Sequence, residues 1–197
     1  MISIIIPTYN EETNIEKTLL SLKSQHVPYE TIVVDGFSKD NTVEIAKKHT
    51  TVINGVAGRA QQMNKGAQEA TGDILLFLHA DTTLPPNALQ TIQESNKEWG
   101  AFYQKYDKNT PFYNFISWRS NKIRLNIYNI AFGDQAIWVK KSLFNNVHGF
   151  PNLDLMEDIE LSRKLKTHAK PHIIKDRVTT SARRFQNNPL RTYLKMT

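Results

Sequence analysis

The sequence of 197 residues contains no cysteine, which excludes both a disulfide framework and a thiolate metal site. No apolar run approaches the length of about 20 residues that a membrane-spanning helix needs. Met1 is followed at once by the strand-like segment Ile2 to Ile6, with no room for a cleavable signal. We therefore expect a cytoplasmic protein that makes at most a peripheral contact with the inner face of the membrane.

A glycine-rich loop is missing at the place where two nucleotide-binding classes carry one. The first predicted strand runs into PTYNEE (residues 7–12), which is acidic and has no glycine. A nicotinamide dehydrogenase would have G-x-G-x-x-G here, and a nucleotidyltransferase would have a glycine-rich loop with a lysine. The sequence therefore argues against both classes.

Charge is unevenly distributed along the chain. The 25 basic and 19 acidic residues give a net charge of +6, and residues 163–197 hold ten Lys or Arg but one acid, Asp176. Such a segment favours an anionic partner, whether a diphosphate, an anionic lipid surface or nucleic acid. A merely solvated basic face is the alternative. The basic segment is the sole support for nucleic acid, which we do not expect as a partner.

The apolar pattern alternates between strands and helices. Hydrophobic residues make up 40% of the chain, enough for a substantial core. We predict strands at Ile2–Ile6, Thr31–Val34, Thr51–Ile53, Ile74–Leu78, Ala101–Tyr106, Ala136–Val139 and His172–Ile174. Intervening helices make this an α/β, Rossmann-like fold with a mostly parallel central sheet flanked by helices. We expect one domain, 1–197, with a nucleotide-binding half (1–99) and an acceptor-binding half (100–197).

Three local predictions accompany this pattern. Pro7 is expected to end the first strand. Asn41 and Glu44 resemble a capping box that opens the second helix. The segment from Phe112 to Leu125 is expected to be one aromatic-rich helix, with Phe112, Phe115, Ile116 and Ile123 on one side.

The stretch from Gly72 to Pro86 contains the most informative carboxylate. Asp81 follows the buried strand Ile74–Leu78, and ligands bind at the C-terminal ends of strands in open α/β sheets. It could hold a hard divalent cation together with water and substrate phosphates, or simply cap a turn. His79 could be a metal ligand or a core histidine bonded to the backbone.

Other polar residues fall at strand or helix ends. Asp35 could accept hydrogen bonds from a base or ribose, or cap a turn. Asp134, between Gly133 and Gln135, suits a polyhydroxyl substrate. An acid beside a substrate hydroxyl can act as general base, so the pair Glu157-Asp158 has a catalytic interpretation beside that of a helix cap. The remaining candidates are cations that could bind a diphosphate or lie on the surface: Arg59, Arg183 and Arg184.

Five motifs in order carry a resemblance that no single motif would support. They are IIIPTYNEE (4–12), VVDGFSKDNT (33–42), GRAQQMNKGAQEATGDILLFLHADT (58–82), GDQAIWV (133–139) and LMEDIELSRKL (155–165). In this order they resemble the inverting family 2 glycosyltransferases of the GT-A fold. The resemblance covers nearly the whole chain. More narrowly, the chain resembles small bacterial members whose metal motif reads His-Ala-Asp.

The resemblance implies a role for each matching position. Asp158 would be the catalytic base with Glu157 beside it, and Asp134 and Gln135 would shape the acceptor side. Asp81, with His79, would hold Mg²⁺ or Mn²⁺ on the donor diphosphate. The nucleotide and donor site would comprise Pro7, Tyr9, Glu11, Asp35, Arg59, Gln62, Arg183 and Arg184.

Two departures from the family pattern bear on function. His79 replaces the first carboxylate of the usual Asp-x-Asp. The metal site therefore has one carboxylate fewer than is usual, which affects its affinity for the metal or its dependence on it. The sequence stops soon after Arg183-Arg184-Phe185, where relatives commonly continue into an apolar segment.

The leading hypothesis is a transferase that moves a sugar from a nucleotide-diphosphate donor, UDP-sugar favoured, with inversion. The alternative is a non-catalytic nucleotide-sugar-binding module. The acceptor is open, and the aromatic helix and basic end make a lipid-linked or membrane-surface acceptor one interpretation.

Overall fold

The computed structural model of the chain describes residues 1–55, 57–153 and 155–185. Within these ranges eight strands form one sheet in the order β3-β2-β1-β4-β7-β6-β8-β5. The strands are β1 Ile2–Thr8, β2 Tyr29–Asp35, β3 Thr51–Asn54, β4 Ile74–Phe77, β5 Thr82–Thr83, β6 Trp99–Tyr106, β7 Trp138–Lys140 and β8 His172–Thr180. The α-helices are α1 Ile15–Ser21, α2 Thr42–Lys47, α3 Arg59–Glu69, α4 Ala88–Ser95, α5 Pro111–Trp118, α6 Lys141–Asn146 and α7 Glu157–Lys166.

The predicted α/β class and the mostly parallel sheet are confirmed. Strand pairs β1–β2, β1–β4, β2–β3 and β6–β8 are parallel, and β4–β7, β6–β7 and β5–β8 are antiparallel. Helices cover both faces of the sheet. On one face α3 contributes Met63 to a cluster that includes Ile5, while on the other α1 packs Ile15 beside Ile4. Successive residues of β1 therefore enter opposite halves of the core, which explains why the strand is apolar throughout.

Helix α3 lies unusually close to the central strand. A Cβ added to Gly66 would lie 2.4 Å from Cγ2 of Ile5, so only glycine permits this approach. The close contact holds the start of α3, where Arg59 lies, near the C-terminal ends of β1 and β2.

The prediction that Pro7 ends the first strand is wrong, because β1 continues to Thr8. The backbone of Ile5 faces β4, since Leu78 donates to its carbonyl, and that of Thr8 faces β2, since Gly36 donates to its carbonyl. By alternation the nitrogen of Pro7 lies on the β4 side. Pairing with β4 ends at Ile5, so the missing N–H of Pro7 breaks no ladder hydrogen bond.

The predicted capping box at the start of α2 is also wrong. Asn41 makes no cap hydrogen bond, and its amide instead donates to the Glu12 carboxylate at 3.0 Å. The preceding residue, Asp40, accepts the backbone N–H of Thr42 at 3.0 Å. A carboxylate placed one residue earlier thus satisfies the first turn of this helix.

The predicted helix over Phe112 to Leu125 is two segments. Helix α5 ends at Trp118, and the π-helical segment Arg119–Leu125 follows it directly. Its apolar residues do not share one side, since Ile116 is buried while Phe115 is 53% exposed. Among the described residues, no helix has the length and apolar character to cross a bilayer.

Strand boundaries in the second half differ from those predicted. β7 starts at Trp138 rather than Ala136, because Ala136 has a left-handed φ of 48° that no strand residue adopts. β8 extends six residues beyond Ile174, to Thr180, and pairs there with the unpredicted strand β5. This pairing brings the end of β8 to the residues that follow β4.

Candidate active site

Three parallel strands end at the same edge of the sheet. Thr8 and Asp35 are register partners at the ends of β1 and β2, and β4, on the other side of β1, leads into His79 and Asp81. Because parallel strands share a direction, their polar ends collect at one edge. The sheet thereby brings together side chains that are up to 73 residues apart in the sequence.

Asp35 organises the loop that follows β2. Its buried carboxylate accepts hydrogen bonds from the backbone N–H and hydroxyl of Ser38, at 2.9 and 2.5 Å, and from the Thr8 hydroxyl at 3.3 Å. A carboxylate has about four acceptor positions. The protein contacts therefore leave capacity for the base or ribose contact predicted for Asp35.

The buried side chain of Gln62 bridges the ends of β1 and β2. Its side-chain amide donates to the carbonyls of Thr8 and Val34 at 2.7 and 2.8 Å. Pro7 is also buried, whereas Tyr9 is 56% exposed beyond the end of β1. Of the residues predicted to line a nucleotide pocket, Tyr9 is thus open to a ligand, while Gln62 fixes the backbone around it.

A three-residue ion-pair cluster joins the two ends of the chain. Arg183 bonds to the carboxylate of Glu11, and its Nε lies 3.5 Å from Oδ2 of Asp81. Ser181 donates its backbone N–H to the carbonyl of Asp81 at 3.1 Å, next to the β5–β8 pairing. Glu11 and Arg183, which were predicted for the donor site, thus lie beside Asp81, which was predicted for the metal site.

A pocket opens beside this cluster. Six of its lining residues were predicted from the sequence: Arg59, His79, Asp81, Asp134, Asp158 and Arg184. The other lining residues were not: Tyr106, Phe132, Gly133, Thr180, Ser181 and Phe185. Gly133 stands in a motif that carried the resemblance, and Phe185 follows the predicted Arg183 and Arg184 directly. The sequence had no signal for Tyr106 or Thr180, which reach the pocket through the β6–β8 pairing.

Asp158 lies in this pocket at the start of α7. Its Oδ2 accepts the backbone N–H of Gly133 at 2.6 Å, and its Oδ1 accepts that of Ile159 at 2.8 Å. Burial raises the pKa of Asp158 above its usual value, and the N–H of Gly133 opposes this. A carboxylate with a raised pKa is a better proton acceptor near neutral pH.

Glu157 holds Arg59 rather than lining the pocket itself. It is almost fully buried, with Oε1 bonded to the guanidinium of Arg59 and Oε2 without a partner among the described residues. A buried carboxylate needs such a partner. The pair ties α3 to α7 and orients Arg59 at the pocket wall.

Two polar groups in the pocket have no partner in the described part of the chain, Oδ1 of Asp134 and Nε2 of His79. Burial, and then the charge of Asp158, raise the pKa of Asp134 to about 6. Burial, reinforced by the charge of Arg59, lowers the pKa of His79. Buried polar groups are normally hydrogen-bonded, so these two atoms of the pocket lining are exceptions to that rule.

Gln135 is completely buried and belongs to an internal network. The oxygen of its side-chain amide accepts a hydrogen bond from the backbone N–H of Phe132 at 3.0 Å. The nitrogen of the same amide donates to the side-chain oxygen of Asn121 at 3.2 Å. These bonds shape the loop that presents Gly133 and Asp134. An acceptor contact by Gln135 itself stays a prediction.

The chemistry of the residues suits a metal held partly by substrate. Among the described residues, no group of three or more His, Asp or Glu could cage a metal ion. Asp81 has an 18% exposed side chain at the pocket edge. Mg²⁺ is often bound by one or two carboxylates plus substrate phosphates, and Asp81 fits that arrangement.

The model of glycosyl transferase family 2 matches residues 3–150 of this chain. The chain therefore belongs to that family.

Curated relatives match parts of the chain. The glycosyltransferase AglE of Haloferax volcanii is 38% identical over 91 residues, which cover 41% of this chain and 30% of AglE. A dolichol-phosphate mannosyltransferase of Pyrococcus furiosus is 34% identical over 128 residues, covering 57% and 36% respectively. The chain thus spans about a third of the length of these relatives.

Solved structures share the fold. TarS of S. aureus, crystallised with UDP-GlcNAc, superposes with a TM-score of 0.74 at 22% identity, covering 91% of this chain and 58% of that one. The mannosyltransferase PcManGT of Pyrobaculum calidifontis, with GDP-Man and Mn²⁺, gives 0.68 at 22% identity, covering 95% and 58%. The chain has the GT-A fold of these glycosyltransferases.

Proposed function

We propose that the chain transfers a sugar from a nucleotide-diphosphate donor, a UDP-sugar in the first instance, to an acceptor hydroxyl with inversion. The observation that carries this proposal is the meeting of Asp158, Asp81 and Arg184 in one pocket. Sugar transfer needs a base for the acceptor and positive charge for the departing diphosphate. Family membership and the solved complexes with nucleotide sugars support the same function.

In this proposal Asp158 is the general base. Its carboxylate takes the proton from the acceptor hydroxyl while the hydroxyl oxygen attacks the anomeric carbon. The bond from that carbon to the diphosphate breaks, and its electron pair leaves with the nucleoside diphosphate. A single displacement inverts the anomeric centre. The backbone N–H of Gly133 orients Asp158. The charge of Arg59, which is itself paired with Glu157, favours the ionised form of Asp158.

The leaving group would be bound by cations. Arg184 lines the pocket, and Arg183 lies between Glu11 and Asp81. A bound Mg²⁺ or Mn²⁺ would neutralise diphosphate charge, with Asp81 as its protein ligand. The Mn²⁺ in the PcManGT complex supports a divalent ion. We retain His79 as a candidate second ligand, although its ring packs against Gly133.

We propose a lipid-linked acceptor. The relatives include the dolichol-phosphate mannosyltransferase of Pyrococcus furiosus and an undecaprenyl-phosphate 4-deoxy-4-formamido-L-arabinose transferase of Pectobacterium carotovorum. The second is 32% identical over 106 residues. The orphaned polar atoms of Asp134 and His79 would then face the acceptor or donor sugar.

Nucleotide binding tests the proposal directly. Thermal unfolding should be measured with UDP, GDP and ADP, each with and without Mn²⁺. At a concentration of about 100 times Kd, a bound nucleotide adds roughly 2.7 kcal/mol to the free energy of unfolding. We expect UDP with Mn²⁺ to give the largest rise in Tm, and Asp81→Ala to remove the part that depends on Mn²⁺.

Asp158→Asn is the matched variant for chemistry. It should keep the shift with UDP and Mn²⁺ but release UDP from UDP-sugars on the order of 10²–10⁴ times more slowly. A wild-type protein that binds UDP but releases it from no UDP-sugar, even with a lipid-linked acceptor present, would favour the non-catalytic module. His79, in place of a carboxylate, is the feature that favours that alternative. A folded protein that no nucleotide stabilises would contradict both functions.

A further inference from the structure

We propose that the face formed by α5 and the π-helical segment Arg119–Leu125 docks on the surface of an anionic lipid bilayer. Phe115 and Trp118 lie on this face with 53% and 52% of their surfaces exposed. Their rings stack, with centroids 6.1 Å apart and planes inclined by 27°. A stacked, exposed aromatic pair is a large apolar feature for a water-facing helix and marks an interaction surface.

Cations line a groove beside the tryptophan of the aromatic pair. Trp118 lines a groove together with Lys105, Lys122 and Arg177, all three of them exposed. The remaining lining residues are neutral: Tyr103, Asn109, Asn114, Ser117 and Asn121. In the sequence, no acidic residue occurs from 108 to 133. The groove is therefore complementary to negative charge.

The combination of residues indicates a bilayer rather than a dissolved anion. Phe115, Trp118 and Lys122 follow one another at spacings of three and four residues, and the ammonium of Lys122 lies 5.4 Å from the ring centre of Tyr103. Tryptophan and tyrosine favour the headgroup level of a membrane, where one end of the ring is apolar and the other wet. Lysine and arginine beside them attract anionic headgroups.

The π-helical segment also contacts a residue of the candidate active site. The guanidinium of Arg124, in the π-helical segment, lies 4.3 Å from the ring centre of Phe132, which lines the pocket. Docking would thus hold the pocket close to the headgroups, where a lipid-linked acceptor lies. That consequence rests on the proposed function, whereas the docking itself does not.

Trp118 supplies an intrinsic probe for the test. The chain has three tryptophans, and the other two, Trp99 and Trp138, are completely buried. We would mix the protein with vesicles of equal parts phosphatidylglycerol and phosphatidylcholine, and with vesicles of phosphatidylcholine alone. We expect co-sedimentation with the anionic vesicles only, and quenching of Trp118 fluorescence when the phosphatidylcholine carries brominated chains.

Two double variants divide the surface. A basic residue near an anionic surface contributes about a fivefold gain in binding, so Lys122→Gln with Arg177→Gln should weaken vesicle binding roughly 25-fold. Phe115→Ser with Trp118→Ser should weaken it by at least about tenfold. The control for charge is Lys47→Gln with Lys48→Gln, at the C-terminal end of α2 and beside the opposite edge of the sheet. The control for the aromatic pair is the exposed Phe37→Ser. Both controls should bind as the wild type does.

Several results would overturn the proposal. Absence of vesicle binding by folded protein would do so, as would equal losses in the variants and their controls. A dimer in lipid-free solution that Phe115→Ser with Trp118→Ser dissociates would assign the face to a second copy. Oligonucleotide binding that Lys122→Gln with Arg177→Gln abolishes, without vesicle binding, would assign it to nucleic acid. Nucleotide-induced stabilisation, measured in parallel, reports on the proposed function independently.

Discussion

At the scale of single residues, the candidate site brings together three carboxylates that have different neighbours. Asp158 is bonded to Gly133, Asp81 lies beside Arg183, and Asp134 has one oxygen with no partner among the described residues. Burial without a partner disfavours an ionised carboxylate. The ionised form of Asp134 is therefore disfavoured in the folded protein.

The stability of the protein should depend on the ionisation of Asp134. Its pKa is raised to about 6 from the ordinary 3.8, so the folded state binds a proton more tightly than the unfolded state does. This group therefore stabilises the fold as pH falls from about 6 towards 4, and destabilises it as pH rises through the same window. The predicted difference is on the order of 2–3 kcal/mol.

Asp134→Asn provides the measurement for this dependence. The amide cannot ionise, so the variant should gain Tm relative to the wild type at pH 8 and lose most of that advantage at pH 4. The comparison should use buffers of equal ionic strength. A difference in Tm between variant and wild type that is the same at both pH values would contradict the assignment.

At the scale of elements, the loop between the π-helical segment and β7 decides the geometry of the pocket. Gly133 lies so close to His79 that an added Cβ would be 2.4 Å from Nε2 of the ring. The same glycine donates its N–H to Asp158. One backbone position thus meets the loop after β4 on one side and α7 on the other.

Gly133→Ala should disturb this junction. The added methyl group must displace His79 or the loop itself, at a cost of about 1–3 kcal/mol in the free energy of unfolding. His79→Ala removes the clashing ring, so the double variant should recover much of the loss caused by Gly133→Ala. The cycle of wild type, two single variants and double variant, measured by denaturant unfolding, gives the coupling. Strictly additive effects would mean that the two residues are not in contact.

At the scale of the whole molecule, the two halves of the chain share one sheet and one pocket. β4 of the first half pairs with β7 of the second, and Glu11 meets Arg183 across most of the sequence. The pocket takes Arg59, His79 and Asp81 from the first half and the rest of its lining from the second. We expect the halves to behave as one cooperative unit.

Calorimetry tests the expectation of a single domain. Thermal unfolding should show one transition whose calorimetric and van't Hoff enthalpies agree. A nucleotide bound in the pocket should shift that transition as a whole. Two separate transitions, with only the first half stabilised by nucleotide, would instead indicate two domains near the proposed boundary at residue 99.

Local sequence determined most of the strands, the α/β class and much of the candidate site. Apolar runs such as Ile2–Ile6 predict buried strands because few other environments hold them, and polar residues at their ends predict where ligands bind. Asp81 was predicted on this basis, Asp134 from its loop and Asp158 from its place at a helix start, and the three together line the pocket. The predicted roles of individual residues still await the experiments above.

Tertiary structure decided the rest, because the deciding interactions join distant parts of the chain. Pro7 stays in its strand because β4 ends beside it, and Asp40 rather than Asn41 serves α2 because Glu12 takes the Asn41 amide. Gln62 fixes strand ends, although the family resemblance implied a place in the nucleotide site. The exposure of Phe115 and Trp118 depends on which side of α5 packs against the sheet. A one-dimensional pattern does not contain that choice, since it is made by the packing of neighbours that the pattern does not name.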